Sequence, residues 1–420
     1  MATRALVVDD GLFVHVASSL AAGFDSLSYF CRWRDHFPSS SRYMIGRGLR
    51  GVERVAELWA AVAEANLVIV PDVQWGDFVD ECRRRRIATW GATYESSRFE
   101  LDRWYAREII RAAGLPLTKA KRLFGLDGVS EFLQTHDDLY VKTSFFRADF
   151  ETYHHVDWFL TKQWLDDVAE KVGSYQFDYE FIIEEPIEDA VEVAMDAFVV
   201  DGRFPETVAY GYELKDAGYV GRAVPMTELP APLRRVNDAL APYLRDSGHR
   251  GFISLECRVT RSGEPYLIDP CMRAGSPPSE LLSEWIANWP EVIERGASGG
   301  VVDPRFHGRF GVQLQLKSAF AERHHLPLSI DRAVSRHVHL HNHWRMPTDE
   351  GTIDYVVPIG IPEIGAVAAA AATVAEAAEL CLERASKVHA YELEYNDSAF
   401  TALDEVIAKG RECGIDWPKE

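Results

Sequence analysis

The chain contains no CxxC pair; its six cysteines, Cys31, Cys82, Cys257, Cys271, Cys381 and Cys413, are scattered along its length. That spacing argues against a zinc ribbon and a disulfide framework and fits reduced thiols. Long apolar runs are missing too. None approaches the roughly 20 residues that span a bilayer, and the opening MATRALVVDDG has neither the apolar region nor the cleavage site of a secretory signal. A cytoplasmic protein with no membrane partner is expected. Positive charge is in deficit, with 45 Lys and Arg against 65 Asp and Glu, a formal net charge of -20. This disfavours nucleic acid or an anionic surface as a partner, while a local basic site can still hold a phosphate. No repeat of fixed period is visible. What is present is an ordinary globular composition, 47% hydrophobic and 26% charged over 420 residues, long enough for two or three domains.

RALVVDD and ANLVIVPD are short apolar runs that stop at Asp9 and Asp72, and GVERVAELWAAVAEA between them has helical periodicity. With a third run, RRRRIATWGA, they predict a small α/β unit with a largely parallel sheet over residues 1–95. Ligands of such sheets sit beyond the carboxyl ends of the strands, so Asp9 to Gly11, Pro71 to Trp75 and Gly91 to Thr93 are expected on one rim. ESSRFELDRWYAREIIRAAGLP reads as one helix capped by Ser96 or Ser97 and stopped at Gly114. A strand-rich stretch follows, with DGR and RSGE as hairpin turns. Past the Gly-rich RGASGG, a candidate junction, come strands around FGVQLQLKSAF and HVHLHNH, then EIGAVAAAAATVAEAAELCLERASKVHAYE, read as an alanine-rich helix.

The stretch SLECRVTRSGEPYLIDP predicts a hairpin turning near Ser262 and Gly263, which would set Glu256 beside Asp269. Opposed residues on antiparallel strands have Cβ atoms about 5 Å apart, close enough to share a metal ion. Either both acids point inward and need a cation, or they sit on opposite exposed faces. Arg273 follows where a guanidinium fork could meet a phosphate oxygen. Lys142 ends the apolar strand LYVKTS, either as a surface lysine or as a phosphate contact. FIIEEPIED leads into Glu184, Glu185 and Ile187, where backbone groups could pair with an adenine edge.

In this order the elements resemble the ATP-grasp superfamily, and DPCMRAGSPPSE is similar to the segment of glycinamide ribonucleotide synthetases in which the arginine precedes Gly-Asp-Pro-Glu. The likeness spans roughly residues 1–295 in element order, and the remainder more loosely. It implies a multidomain α/β and α+β architecture: a small N-terminal parallel domain (1–95), an ATP-grasp unit (96–295) with a lid at about 118–185 and a metal and phosphate half at about 186–295, and a mixed C-terminal region (296–420). It implies ATP and magnesium or manganese as cofactors. The hinge would be EEPI, with the Glu185 carbonyl and Ile187 amide on adenine and Glu192 on the ribose. Glu256 matches the first metal-binding acid, and Asp269, Cys271 and Arg273 match the acid, Asn and Arg of the family's second strand. Arg103 stands where the family has a lysine, Lys142 matches the second ATP-binding lysine, and GYELKD, similar to the Tyr-x-x-Lys loop of D-alanine:D-alanine ligases, would put Lys215 at the γ-phosphate.

Three departures accompany these matches. Arg103 keeps the charge but changes the donor geometry. Cys271 offers magnesium a thiol in place of an amide oxygen. KTSFFRADFETYHH lacks the glycines of the family's phosphate loop, leaving Arg147 and Thr152 as side-chain donors or a simple turn. The resemblance implies carboxylate attack on the γ-phosphate, an acylphosphate, and displacement of phosphate by an amine, with an amino acid as one substrate. Small-molecule carboxylate and amine partners are expected, and a homodimer through the C-terminal region is one assembly that fits. Two other readings use the same site: kinase-like phosphoryl transfer, and a catalytically silent ATP-binding module. Outside the resemblance, HVHLHNH predicts His337, His339, His341 and His343 on one strand face, suited either to a transition metal or to solvent. Alternation could likewise direct Gln313, Gln315 and Lys317 to the acceptor pocket.

Overall fold

The computed structural model describes residues 2–33, 40–144, 152–349 and 351–417. At the N-terminus lies a parallel sheet of β1 (Arg4–Asp9), β2 (Ser26–Cys31), β3 (Glu53–Arg54), β4 (Leu67–Ile69) and β5 (Ala88–Trp90), in the order β3-β2-β1-β4-β5. Helices α1 (Val14–Leu20), α2 (Leu58–Glu64) and α3 (Gly76–Arg84) connect it. Leu6, Val7 and Val8 have no exposed surface, the all-apolar pattern of a strand covered on both faces. The expected rim exists, and each of its three corners is tied to the rest of the molecule. The Asn342 amide donates to Gly11 O (2.8 Å), the Ala274 amide to Pro71 O (3.0 Å) and the Gly91 amide to Arg250 O (2.7 Å). Gly11 has φ +115° and its missing Cβ would meet Asn342 Oδ1 at 2.3 Å, so only glycine allows that approach.

The segment read as one helix is two. α4 (Tyr94–Leu101) is capped by Thr93, which accepts from the Ser96 amide, and α5 (Arg103–Ala112) by Asp102, which accepts from the Tyr105 amide. The reason is local: an aspartate side chain bonded to the backbone ahead of it favours a cap over a helix interior. A four-stranded antiparallel sheet follows, β6 (Ala120–Phe124), β7 (Leu139–Lys142), β8 (Thr152–His155) and β9 (Glu180–Glu184) in the order β6-β9-β7-β8. Helices α6 (Leu126–Leu133) and α7 (Trp158–Val172) give it a small core of its own, including Val129, Trp164, Val168 and Phe181.

The largest sheet has eight antiparallel strands. β10 (Ala190–Val200), β11 (Thr207–Leu214), β12 (Gly218–Pro225), β13 (Arg250–Thr260) and β14 (Pro265–Cys271) supply five of them, with helix α8 (Ala231–Asp246) between β12 and β13. After α9 (Ser279–Trp285) and α10 (Trp289–Ala297), β15 (Phe310–Lys317) pairs with β12. β16 (Leu326–Ile330), β17 (Val338–Leu340), β18 (His343–Thr348), β19 (Gly351–Val356), β20 (Glu363–Ala371), helix α11 (Val374–Ala385), β21 (Val388–Ala390) and helix α12 (Leu403–Glu412) complete the chain. The eight-stranded order is β14-β13-β10-β11-β12-β15-β20-β17, so strands beyond residue 300 extend the sheet begun before it, while β18-β19-β16-β21 form a separate sheet.

Here the expectation of one alanine-rich helix fails. Residues 363–371 are strand β20, held between β15 and β17, and the helix begins only after Thr373, whose side chain accepts from the Glu376 amide. Alanine favours helix in isolation, but Val367, Ala368 and Ala369 lie in the sheet with no exposed surface. Tertiary packing between two paired strands overrides local propensity.

The N-terminal sheet meets the large one through aromatic rings: Trp90 lies 5.6 Å from Phe198 and 5.5 Å from Phe252 between centroids, and Phe252 5.1 Å from Trp289. Nearby, fully buried His249 bonds Ser96 Oγ at 3.0 Å and the Phe252 carbonyl at 3.1 Å. Burial pushes its pKa down to about 4, so folding favours the neutral ring over the unfolded form that titrates near 6.5. The stability contribution is complete above pH 6.5 and lost as pH falls toward 4. Between those limits the wild type should lose about 3 kcal/mol more stability than His249→Asn; urea unfolding of both across pH 7 to 4 measures the difference, and parallel curves would remove His249 as its cause.

Candidate active site

The β13–β14 hairpin sets the site. Glu256 and Asp269 are register partners, with a bulge beside them between Glu256 and Cys257, and Gly263 makes the turn at φ +77°. β10 runs beside β13, and Glu192 on β10 stands near Glu256. Burial first, then the charges of Glu192 and Asp269, raise the Glu256 carboxyl well above the usual range. Lys215, just beyond β11, reaches back to Glu192 with Nζ to Oε1 at 3.1 Å.

From the other side, the antiparallel sheet of β6 to β9 supplies Lys142, and helix α5 supplies Arg103 and Arg107. Lys142 Nζ lies 3.1 Å from Glu184 Oε2 and donates to the Ile268 carbonyl at 3.4 Å, linking the two sheets. Arg107 also pairs with Glu184. Burial alone would raise Glu184, but Lys142 and Arg107 outweigh it and hold its carboxyl below the ordinary range. Arg103 donates from Nε to the Thr143 carbonyl (2.9 Å) and lies 3.9 Å from Asp269 through Nη2.

One cleft of about 220 Å³ is lined by Arg103, Lys142, Glu184, Glu192, Lys215, Glu256 and Asp269. Glu185, Ile187, Tyr140, Thr152 and Arg258 complete much of the wall. The Glu185 amide is used by the Lys119 carbonyl at 3.1 Å. Thus most residues singled out from the sequence converge between the two sheets. Arg147 lies outside the described residues.

Two expected members stand apart. Arg273 does not line this cleft; its Nε donates to Glu100 Oε1 at 2.8 Å and its Nη1 to the Ala274 carbonyl at 2.9 Å. Glu100 Oε2 also accepts the Met272 amide at 2.7 Å, so the carboxylate anchors the β14–α9 loop from α4. Cys271 is buried and its Sγ lies 3.5 Å from Asp269 Oδ2, within donating reach of the carboxylate. Sequence reading missed Arg107 and Glu100. Arg107 was findable: four residues after Arg103 on α5, it shares that helix face. Nothing local marks Glu100, because its partner is 173 residues away.

The fit of a divalent cation can be judged from the donors. Glu256 and Asp269 are hard oxygen ligands of the kind magnesium takes, and the crowding of Glu192, Glu256 and Asp269 is relieved by a positive charge. The Cys271 thiol does not fit that role.

The histidines expected on a single strand face are divided. β17 ends at Leu340 and Asn342 turns the chain with φ +48° before β18. His337 bonds Glu284, His341 bonds Glu280, and His343 bonds Asp354. Gln313 is not in the cleft either: it accepts from the Leu281 amide and donates to Glu280, both at 3.1 Å, while Lys317 pairs with Asp216 and Glu363.

The architecture is the ATP-grasp fold. The chain superposes on phosphoribosylamine–glycine ligase from Thermotoga maritima with a TM-score of 0.71 at 15% identity, covering 94% of this chain and 99% of that one. The biotin carboxylase domain of 2-oxoglutarate carboxylase from Hydrogenobacter thermophilus gives 0.65 at 11%, covering 97% and 98%. L-amino acid ligase from Bacillus licheniformis gives 0.57 at 14%, covering 94% and 99%. No known sequence family and no curated protein matches the sequence. Among the described residues no helix is long and apolar enough to cross a membrane.

Proposed function

We propose that the protein is an ATP-dependent carboxylate–amine ligase that works through an acylphosphate, with an amino acid as one substrate. The observation that carries this is the pairing of Glu256 with Asp269 across β13 and β14, facing Lys142 and Arg103 in one cleft. Phosphoryl transfer asks for positioning and charge neutralisation rather than a covalent side chain. Magnesium held by Glu256 and Asp269 would neutralise phosphate oxygens; the complex of the Hydrogenobacter domain with MgADP and bicarbonate supports nucleotide and a small carboxylate as ligands of this fold.

In this reading Lys142 meets the phosphates from the lid and Arg103 from α5, and Lys215 approaches from the rim of β11. The segment from Glu184 to Ile187 flanks the adenine, with Glu192 toward the ribose. Nucleotide entry would draw Lys142 from Glu184, and Arg107 keeps that buried carboxylate compensated when it does. Arg273 acts by fixing the β14–α9 loop to Glu100, beside the rim at Pro71 where the acceptor would enter. Closure of the β6–β9 sheet over the cleft would exclude water from a hydrolysable intermediate. The dimeric Hydrogenobacter domain supports a homodimer as the assembly.

Trapping with hydroxylamine separates this from phosphoryl transfer to a hydroxyl. With magnesium, ATP and pooled amino acids, the wild type should form a hydroxamate of one acid together with ADP. ADP release from ATP that depends on a hydroxyl compound, with no hydroxamate from any acid, would replace the ligase by a kinase.

A further inference from the structure

Away from the nucleotide cleft, three segments distant in sequence bring together His15 from the first turn of α1, Glu280 from the first turn of α9, and His341 from the bend after β17. All three are buried, at 2%, 1% and 5% exposure. One potential ligand atom from each lies within 4.8 Å of the others. His15 sits beside the Leu12 backbone but forms no well-aligned hydrogen bond on either ring nitrogen, and His341 Nδ1 is likewise without one. A buried imidazole whose nitrogens lack well-aligned partners is costly for a fold to keep and points to an occupant.

We propose that His15, Glu280 and His341 form a site for one divalent transition-metal ion, of which zinc(II) is the type. The donor set decides the class: two imidazoles and a carboxylate suit zinc and its neighbours rather than magnesium, which takes oxygen ligands. Tetrahedral zinc with bonds of about 2.0–2.1 Å needs ligand atoms about 3.4 Å apart, so the hydrogen bond now joining His341 Nε2 to Glu280 Oε1 at 2.5 Å must open as the ion enters while His15 closes on it. Supporting contacts stand behind them. Gln313 donates to Glu280 Oε2 at 3.1 Å and is itself fixed by the Leu281 amide, which is how outer-shell groups hold a ligating carboxylate. Burial keeps His15 neutral, the form that ligates, with a pKa lowered to about 3. Because α1 belongs to the N-terminal sheet, α9 follows the Arg273 loop, and His341 lies in the C-terminal part, the ion would join three parts of the chain at one point.

The test uses the whole protein, stripped with chelator, equilibrated with zinc and dialysed. About one equivalent of zinc should remain in the wild type and in Asp269→Ala, and be lost in His15→Ala, His341→Ala and Glu280→Gln. Zinc, and not magnesium, should raise the thermal midpoint of the stripped wild type by about 3 °C or more. Cobalt(II) reports on the unaltered protein, so the result does not hang on whether variants fold: a four-coordinate visible spectrum is expected at one equivalent. Absence of that spectrum overturns the proposal. So does zinc that survives in His15→Ala and His341→Ala, or that is lost instead on replacing the exposed His136 and His154. None of these readouts needs ATP or a substrate, so their failure leaves the ligase reading standing, and the reverse.

Discussion

Arg273→Ala is expected to lower the stability of the protein by about 3–5 kcal/mol, the cost of breaking a buried ion pair by removing one partner. Glu100 has a side chain with 0% exposure and pairs with Arg273, whose side chain is 14% exposed. Without it an interior carboxylate loses a charged partner, while the Met272 amide still donates to it. Glu100→Gln should cost less, since Gln can still accept from that amide and Arg273 reaches partial solvent. The double variant Arg273→Met with Glu100→Leu should recover much of the loss, because two well-packed apolar side chains replace two desolvated charges. Urea unfolding of the four proteins closes the cycle. Additive losses would show that the pair is not coupled, and that Arg273 serves something other than the anchoring of its loop.

The second large effect belongs to the paired acids. Asp269→Asn and Glu256→Gln should each reduce ATP turnover by about 10²-fold or more, because an amide in place of a carboxylate removes the charge that holds the cation while preserving shape. Stability should move the other way for Glu256. Its carboxyl is disfavoured as a charge by burial and by Glu192 and Asp269, so the neutral amide relieves repulsion in the protein without metal. Activity lost and stability held or raised is the signature of a functional site. A fall in both would mark Glu256 as structural.

The same hairpin shows what the sequence could and could not disclose. Two strands with a Ser-Gly turn brought Glu256 opposite Asp269 in the sequence reading, but spacing left open whether both acids face inward or lie on opposite faces. The N-terminal rim was readable for a similar reason, since apolar runs that stop at Asp9 and Asp72 mark strand ends. β2 escaped because its residues, SLSYFC, mix polar and apolar types. β20 was misread because an alanine run carries helix propensity in isolation and acquires its strand state only from β15 and β17. The break at Asp102 was legible in principle, as an aspartate cap three residues before Tyr105. The division of the four histidines was not, because it depends on the turn at Asn342 and on acids from α9 and β19 that no local pattern brings near. Arg273 was placed by resemblance at the phosphates, whereas a carboxylate on α4 holds it.

The central claim is that the cleft between the two sheets converts ATP to ADP while activating a carboxylate. The most direct measurement is ADP release with magnesium, pooled amino acids and pooled amines, for the wild type beside Asp269→Asn. Release that requires one acid, increases with one amine and disappears in the variant is the predicted result. ATP bound by the wild type without ADP release under every substrate mixture would contradict the account and identify a silent nucleotide-binding module.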